Sequence, residues 1–163
     1  MKTIKDIMTS SPKTCKKTDG VQTVAKQMAS SNVGSMPVVD ENSKIVGMIT
    51  DRDIALSIGK NDKSINDLKV SDVMTSSVET ISAESDATEA LKLMRTKKIG
   101  RLPVVDSEKR VKGIITLNGI VRGVRDASDK EEIGFKGKEN VISTLQAIAE
   151  RNELESVDEF GEE

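Results

Sequence analysis

The chain repeats itself at a fixed offset of 66 residues. Asp6-Ile7-Met8-Thr9-Ser10-Ser11 returns as Asp72-Val73-Met74-Thr75-Ser76-Ser77. Gly34-Ser35-Met36-Pro37-Val38-Val39-Asp40 returns as Gly100-Arg101-Leu102-Pro103-Val104-Val105-Asp106, and Gly47-Met48-Ile49-Thr50 as Gly113-Ile114-Ile115-Thr116. Between 4–58 and 70–124, 17 of 55 aligned positions are identical and no gap is needed. Such periodicity means one supersecondary unit used twice. A unit of this size buries too little surface to be comfortable alone. The expectation is therefore an α+β fold in which two pseudo-twofold-related repeats pack sheet to sheet in one compact domain.

Each copy reads alike. A short helical start near Ile4 to Met8 leads through a turn to an extended piece around Thr14-Cys15-Lys16. Val21, Val24, Ala25 and Met28 follow at i, i+3, i+4, i+7, one face of a helix, and Ala87, Ala90, Leu91 and Met94 repeat that spacing. Two apolar runs come next, Met36 to Val39 and Ile45 to Ile49, separated by the polar stretch 40–44 that reads as a hairpin turn. A second helix follows Thr50. The boundaries read as repeat one over 1–60, a linker over 61–69, repeat two over 70–125 and a C-terminal extension over 126–163. In the extension, Val141, Ile142, Leu145, Ile148 and Ala149 share a helical face, to cap the body or to form a dimer contact. Six acids between Glu153 and Glu163 read as a disordered end.

Composition removes most chemistries. The chain has no histidine and one cysteine. That excludes Ser-His-Asp and Cys-His pairs, histidine zinc sites and an intramolecular disulfide. No run of about 18 apolar residues spans a membrane, and Met1 to Asp6 has no apolar signal region. A protein of the cytoplasm, without a membrane association, is expected. Residues 126–163 carry 12 acids against 4 bases, while 1–125 carry 15 acids against 21 bases. A mildly basic body suits small anions, but its charge is too dispersed for nucleic acid. The only aromatics, Phe135 and Phe160, lie outside the body, which therefore lacks stacking platforms.

Gly47-Met48-Ile49-Thr50-Asp51-Arg52-Asp53 sets a hydroxyl where a strand meets a helix start. Unpaired amides there favour an anion, and Thr50 can add a donor. Asp53 can accept two hydrogen bonds from a sugar diol. The same residues also read as an ordinary helix cap, with Asp51 and Asp53 favouring the positive end. The second copy keeps the hydroxyl at Thr116 but has Gly119 in place of the carboxylate.

The repeat resembles the CBS domain family, whose members occur as tandem pairs. Its marks are the D-h-M-T opening (h is apolar), the x-x-P-V-V-D strand and the G-h-h-T-x-x-D turn. All three stand in both copies, apart from the Asp lost at Gly119. The resemblance covers residues 4–125. It implies β-α-β-β-α repeats with clefts between them that bind AMP, ADP, ATP or S-adenosylmethionine.

Carried over by position, Thr50 and Asp53 make the intact site. Met48, Thr80, Ile81 and Ile99 would close the base pocket. Arg101 would hold phosphate, for which its donor fork is suited, with Arg52 and Lys98 as weaker candidates. The second cleft would use Thr116, Ile114, Thr14, Cys15, Val33 and Ser35, and would bind ribose poorly without a carboxylate. Cys15, Met28 and Met94 read as core, and Lys16-Lys17 and Lys97-Lys98 as solvated pairs. The resemblance implies a non-catalytic regulatory module in a homodimer, read by a partner protein. It needs no cofactor; whether Mg2+ accompanies the phosphates stays open. The other reading is a dimerising interaction module that binds no nucleotide.

Overall fold

The computed structural model describes residues 3–60, 63–125 and 135–158. The helices and the hairpin strands recur at the 66-residue offset, but the first strands do not, lying at Thr9–Ser10 in one copy and Ile81–Ser82 in the other. Copy one gives α1 (Ile4–Ile7), β1 (Thr9–Ser10), α2 (Val21–Ser31), β2 (Ser35–Val39), β3 (Ile45–Thr50) and α3 (Asp51–Lys60). Copy two gives α4 (Val70–Val73), β4 (Ile81–Ser82), α5 (Ala87–Lys97), β5 (Arg101–Val105), β6 (Val111–Thr116) and α6 (Leu117–Arg125), and α7 (Phe135–Asp158) follows. The piece expected around Thr14-Cys15-Lys16 pairs at one point only, Cys15 opposite Val38.

The chain forms two compact units, and they cut across the copies. One holds Met1–Ser10, Ile81–Val104 and Gly113–Glu163; the other holds Ser11–Thr80 and Val105–Lys112. The opening segment of copy one thus belongs with copy two. In the first unit, β1 pairs antiparallel with β6 (Thr9 opposite Ile114), at the edge of a sheet ordered β1-β6-β5-β4. The Ile4 amide donates to the Ser85 carbonyl at 2.8 Å and that of Lys5 to Ala83 at 2.9 Å. Ile4 is buried with Ala90, Met94, Leu102, Ile115 and Ile120.

The second unit mirrors this exchange. The amides of Thr75 and Met48 donate to each other's carbonyls at 2.9 Å, and the Val70 amide donates to Asp19 at 2.9 Å. Here β2 and β3 pair antiparallel, Met36 opposite Ile49, with a bulge between Val38 and Val39. The core gathers Val21, Val24, Met28, Met36, Val38 and Ile49. Met28 and Met94 are buried at 5% and 0% exposure, as their helical spacing predicts.

The P-V-V-D aspartates staple turns. Asp40 Oδ1 accepts the amides of Asn42 (2.8 Å) and Lys44 (2.9 Å). Asp106 Oδ1 accepts those of Glu108 (3.0 Å) and Arg110 (2.9 Å). Its Oδ2 takes the Arg110 guanidinium at 2.9 Å and Lys112 Nζ at 3.3 Å. Partial burial opposes ionisation of Asp106, but the bonds from Arg110, Lys112 and Glu108 prevail and hold its pKa well below the usual carboxylate range.

Helix α7 corrects two expectations. It runs to Asp158, so Glu153, Glu155 and Asp158 are helical rather than part of a disordered acidic end; residues 159–163 lie outside the described residues. Its apolar stripe is also narrower than expected. Val141 and Ile148 pack on the core of the first unit, whereas Ile142 and Leu145 remain 56% and 50% exposed. α7 lies along α5, which covers only one side of a helix. Thr144 is buried between them, its hydroxyl donating to Asn140 O at 2.6 Å, and Arg95 Nη1 donates to Ser143 Oγ at 3.0 Å.

Candidate functional site

β3 ends at Thr50 and α3 starts at Asp51, so the turn presents the residue types its sequence promised. The Thr50 hydroxyl donates to Asp53 Oδ2 at 2.7 Å, and the Thr50 amide reaches the same oxygen at 2.8 Å. The Asp53 amide returns a bond to Thr50 Oγ1 at 3.1 Å. This is a closed capping box, which satisfies amides that a helix start otherwise leaves unpaired. The Asp51 amide donates to the Gly34 carbonyl at 3.1 Å. A Cβ on Gly34 would sit 2.9 Å from Asp51 Oδ2, so a larger residue there would make the Asp51 carboxylate shift.

The second copy builds the turn with fewer groups. The Leu117 amide donates to Gly100 O at 3.0 Å, and the Gly119 amide to Thr116 Oγ1 at 3.0 Å. With no side chain at position 119, nothing there accepts from the Thr116 hydroxyl. Thr116 and Ile114 instead line a cavity of about 380 Å³ with Asp6, Ile7, Met8, Thr9, Gly119, Arg122 and Gly123. A Cβ on Gly123 would collide with Ile7 Cγ2, so the glycine permits α1 to lie against α6.

The other predicted site residues fall as follows. In the unit of α3, Met48 is buried, Thr50 and Asp53 are half-buried, and Arg52 is exposed with its amide on Asp51 Oδ1 at 2.8 Å. Thr80 and Ser35 are half-buried there, Thr14 is exposed, and Val33 is 38% exposed. In the unit of β6, Ile81 is a core residue, Ile99 packs on that core, and Arg101 opens β5 exposed to solvent. Lys98 closes α5 in the left-handed conformation, at φ 53° and ψ 43°. The structure thus brings Met48, Thr50, Arg52 and Asp53 into one unit, and Ile99, Arg101 and Thr116 into the other. Sequence reasoning missed Arg122 and the Asp6–Thr9 segment beside Thr116. The signal for Arg122 was present: it stands where copy one has Leu56, one turn beyond the missing carboxylate.

Cys15 is 3% exposed. Burial, and then the charge of Asp19, push its thiol up to about 12, which keeps it an unreactive core residue. Among the described residues, no cluster of three or more His, Cys, Asp or Glu could hold a metal, and no helix is long and apolar enough to cross a membrane.

Compared with known proteins, the chain matches the family model for the CBS domain twice, at residues 4–60 and 70–126. The chain belongs to the CBS domain family. YlbB of Bacillus subtilis is 37% identical over 121 residues, covering 74% of this chain and 80% of that protein. Inosine-5'-monophosphate dehydrogenase of Methanocaldococcus jannaschii is 40% identical over 119 residues, or 73% of this chain but only 22% of the enzyme. Among solved structures, the CBS domain pair of protein MJ0100, in complex with 5'-methylthioadenosine and S-adenosyl-L-methionine, is 32% identical with a TM-score of 0.68. That match covers 75% of this chain and 94% of the other. CBSX2 of Arabidopsis thaliana, in complex with AMP, has a TM-score of 0.70 over 78% and 99% of the two chains; at 24% identity it shows the shared fold. The α+β architecture with two repeats is therefore that of CBS domain pairs.

Proposed function

We propose that the chain is a regulatory module that senses an adenosine-containing ligand and performs no catalysis. The observation that carries this reading is its 32% identity to the CBS pair solved with methylthioadenosine and S-adenosylmethionine. In this reading Thr50 and Asp53 meet the ribose, with Asp53 Oδ1 available to accept from the diol while Oδ2 holds Thr50. In the same unit Met48 and Thr80 offer contacts to the base and Arg52 to a phosphate; in the other unit Ile81 and Ile99 offer apolar contacts, and Arg101 with Lys98 suits a phosphate or a ligand carboxylate. Thr116 and Ile114 in that unit, and Thr14, Cys15, Val33 and Ser35 in the first, offer weaker contacts to an adenosine ligand. The module works as a cytoplasmic homodimer whose ligand-bound state is read by a partner protein.

Titration calorimetry and thermal melts followed by circular dichroism test this with S-adenosylmethionine, methylthioadenosine, AMP, ADP and ATP. Because Trp and Tyr are absent, intrinsic fluorescence will not report binding. A true ligand at 100 times its Kd adds about 2.7 kcal/mol of stability. No heat and no shift across the panel rejects the reading.

One observation favours the second reading, a dimerising interaction module. The Thr50–Asp53 pair already satisfies itself as a helix cap and needs no ligand to do so. Normal dimerisation with no binding to any of the five compounds selects that alternative.

A further inference from the structure

Helix α7 lies beyond the residues that match the family, 4–60 and 70–126, yet it packs against a turn that carries two candidate site residues. Ile148 reaches the glycine between Ile99 and Arg101. Its Cδ1 lies 3.8 Å from the place a Cβ on Gly100 would take. Ile148 and Ile99 pack on the same core. The Gly100 carbonyl in turn accepts the Leu117 amide at 3.0 Å, so the residue that α7 touches also anchors the start of α6.

The grip of α7 uses side chains that copy one lacks. Across the 66-residue offset, Leu91 and Arg95 on α5 stand where copy one has Ala25 and Ala29, and Ile99 stands where it has Val33. Arg95 Nη1 donates to Ser143 Oγ at 3.0 Å. Thr144 is fully buried, and its hydroxyl, which donates to Asn140 O at 2.6 Å, stands 3.3 Å from the Leu91 carbonyl. Val33 remains 38% exposed, whereas Ile99 is half-buried. Apolar burial alone has no direction. The Arg95 bond and the buried hydroxyl set how α7 sits on α5, and that placement brings Ile148 to Gly100.

We infer that α7 is a brace for copy two's ligand-facing turn: docked on α5, it holds Ile99-Gly100-Arg101 in the conformation that receives ligand, with Ile148 as the positioning residue. This rests on the reading of the chain as an adenosine-ligand sensor and adds the regulation of that site. A turn fixed before binding costs the ligand less to order. Coupling is reciprocal, so ligand held by Arg101 strengthens the docking of α7 by the same factor. The docking of α7 thereby reports occupancy.

The test uses the full chain, with S-adenosylmethionine and AMP as probes. By calorimetry, the probe that binds the wild-type chain is expected to bind Ile148→Ala about fivefold more weakly, or worse, and to recover in Ile148→Leu. Ile142→Ala, on the 56% exposed side of the same helix, is expected to bind like wild type. Circular dichroism melts check folding; should Ile148→Ala fail to fold, Thr144→Val loosens the same contact and is expected to act in the same direction. Hydrogen exchange read by mass spectrometry separates positioning from simple stability. Without ligand, segments 98–102 and 116–119 should exchange faster in Ile148→Ala and not in Ile142→Ala. With ligand, segment 141–150 of the wild-type chain should exchange more slowly. Equal probe affinity in wild type and Ile148→Ala overturns the inference, as does ligand that leaves exchange over 141–150 unchanged. The proposed function fails differently, by neither probe nor any other adenosine compound binding the wild-type chain, and this inference then falls with it.

Discussion

The Thr50 hydroxyl donates to Asp53 Oδ2 at 2.7 Å, while its counterpart Thr116 accepts from the Gly119 amide at 3.0 Å. One duplicated turn therefore exists in two hydrogen-bonding states. In copy one the carboxylate closes a reciprocal cap; in copy two the hydroxyl proton remains available.

Asp53→Ala should remove the acceptor of both the Thr50 amide and hydroxyl. The expected cost is about 1 kcal/mol, or a Tm lower by about 2–4 °C in a chain of this size. Gly119→Ala offers no such acceptor to gain, so it should not reproduce the Asp53 contribution in copy two. Thermal melts of both variants without ligand check this; an unchanged Tm in Asp53→Ala contradicts the cap.

Asp106 titrates as a turn staple. Its folded pKa lies well below the ordinary carboxylate value, so its contribution is complete above the unfolded pKa of about 3.9, begins to fall below that, and is lost only as pH drops through the folded value. Asp106→Asn should be less stable than wild type at pH 7, with the gap closing below about pH 4. Urea melts at pH 7 and pH 3 measure it, and a gap that stays constant counts against the ion-pair account.

Cys15 gives the opposite pH slope. Its thiol is raised from 9.0 to about 12 in the fold, so folding favours the protonated form. Stability from this group is intact below pH 9 and declines as pH rises from 9.0 toward about 12. Cys15→Ala should lack that decline. In the native chain, the thiol should react with a disulfide reagent at pH 8 far more slowly than in urea; equal rates would show that the side chain is open to solvent.

Two glycines should respond to alanine with opposite signs. At Gly59, within α3, nothing lies within 4 Å of an added Cβ, so Gly59→Ala is expected to stabilise by about 0.4–1 kcal/mol through the unfolded chain. At Gly123 the Cβ meets Ile7 Cγ2 and Cβ, and Gly123→Ala should cost about 1–3 kcal/mol by forcing α1 from α6. Denaturant midpoints decide; a stabilised Gly123→Ala chain would remove the close approach of Ile7 from the account.

The sequence by itself determined what depends on neighbours within a few residues. Helical spacing marked Val21, Val24 and Met28 as buried, the P-V-V-D aspartates fell in turns, and the Thr-x-x-Asp spacing that closes the cap was legible because all its atoms lie within one helical turn. Only the tertiary structure decided which partner covers each face. Asp6-Ile7-Met8-Thr9 and Asp72-Val73-Met74-Thr75 are nearly the same locally, so nothing in either segment says whether it pairs with its own copy's last strand or with the other's. The edge of β6 accepts Thr9, and Met48 accepts Thr75, because strand pairing is settled by which edge stands open after the rest has packed. The stripe on α7 shows the same limit: periodicity gave Val141, Ile142, Leu145 and Ile148 one broad face, but α5 is a single neighbour and buries only part of it. The cavity wall at Arg122 belongs to this second class as well, since it exists only where α1, arriving from the far end of the sequence, meets α6.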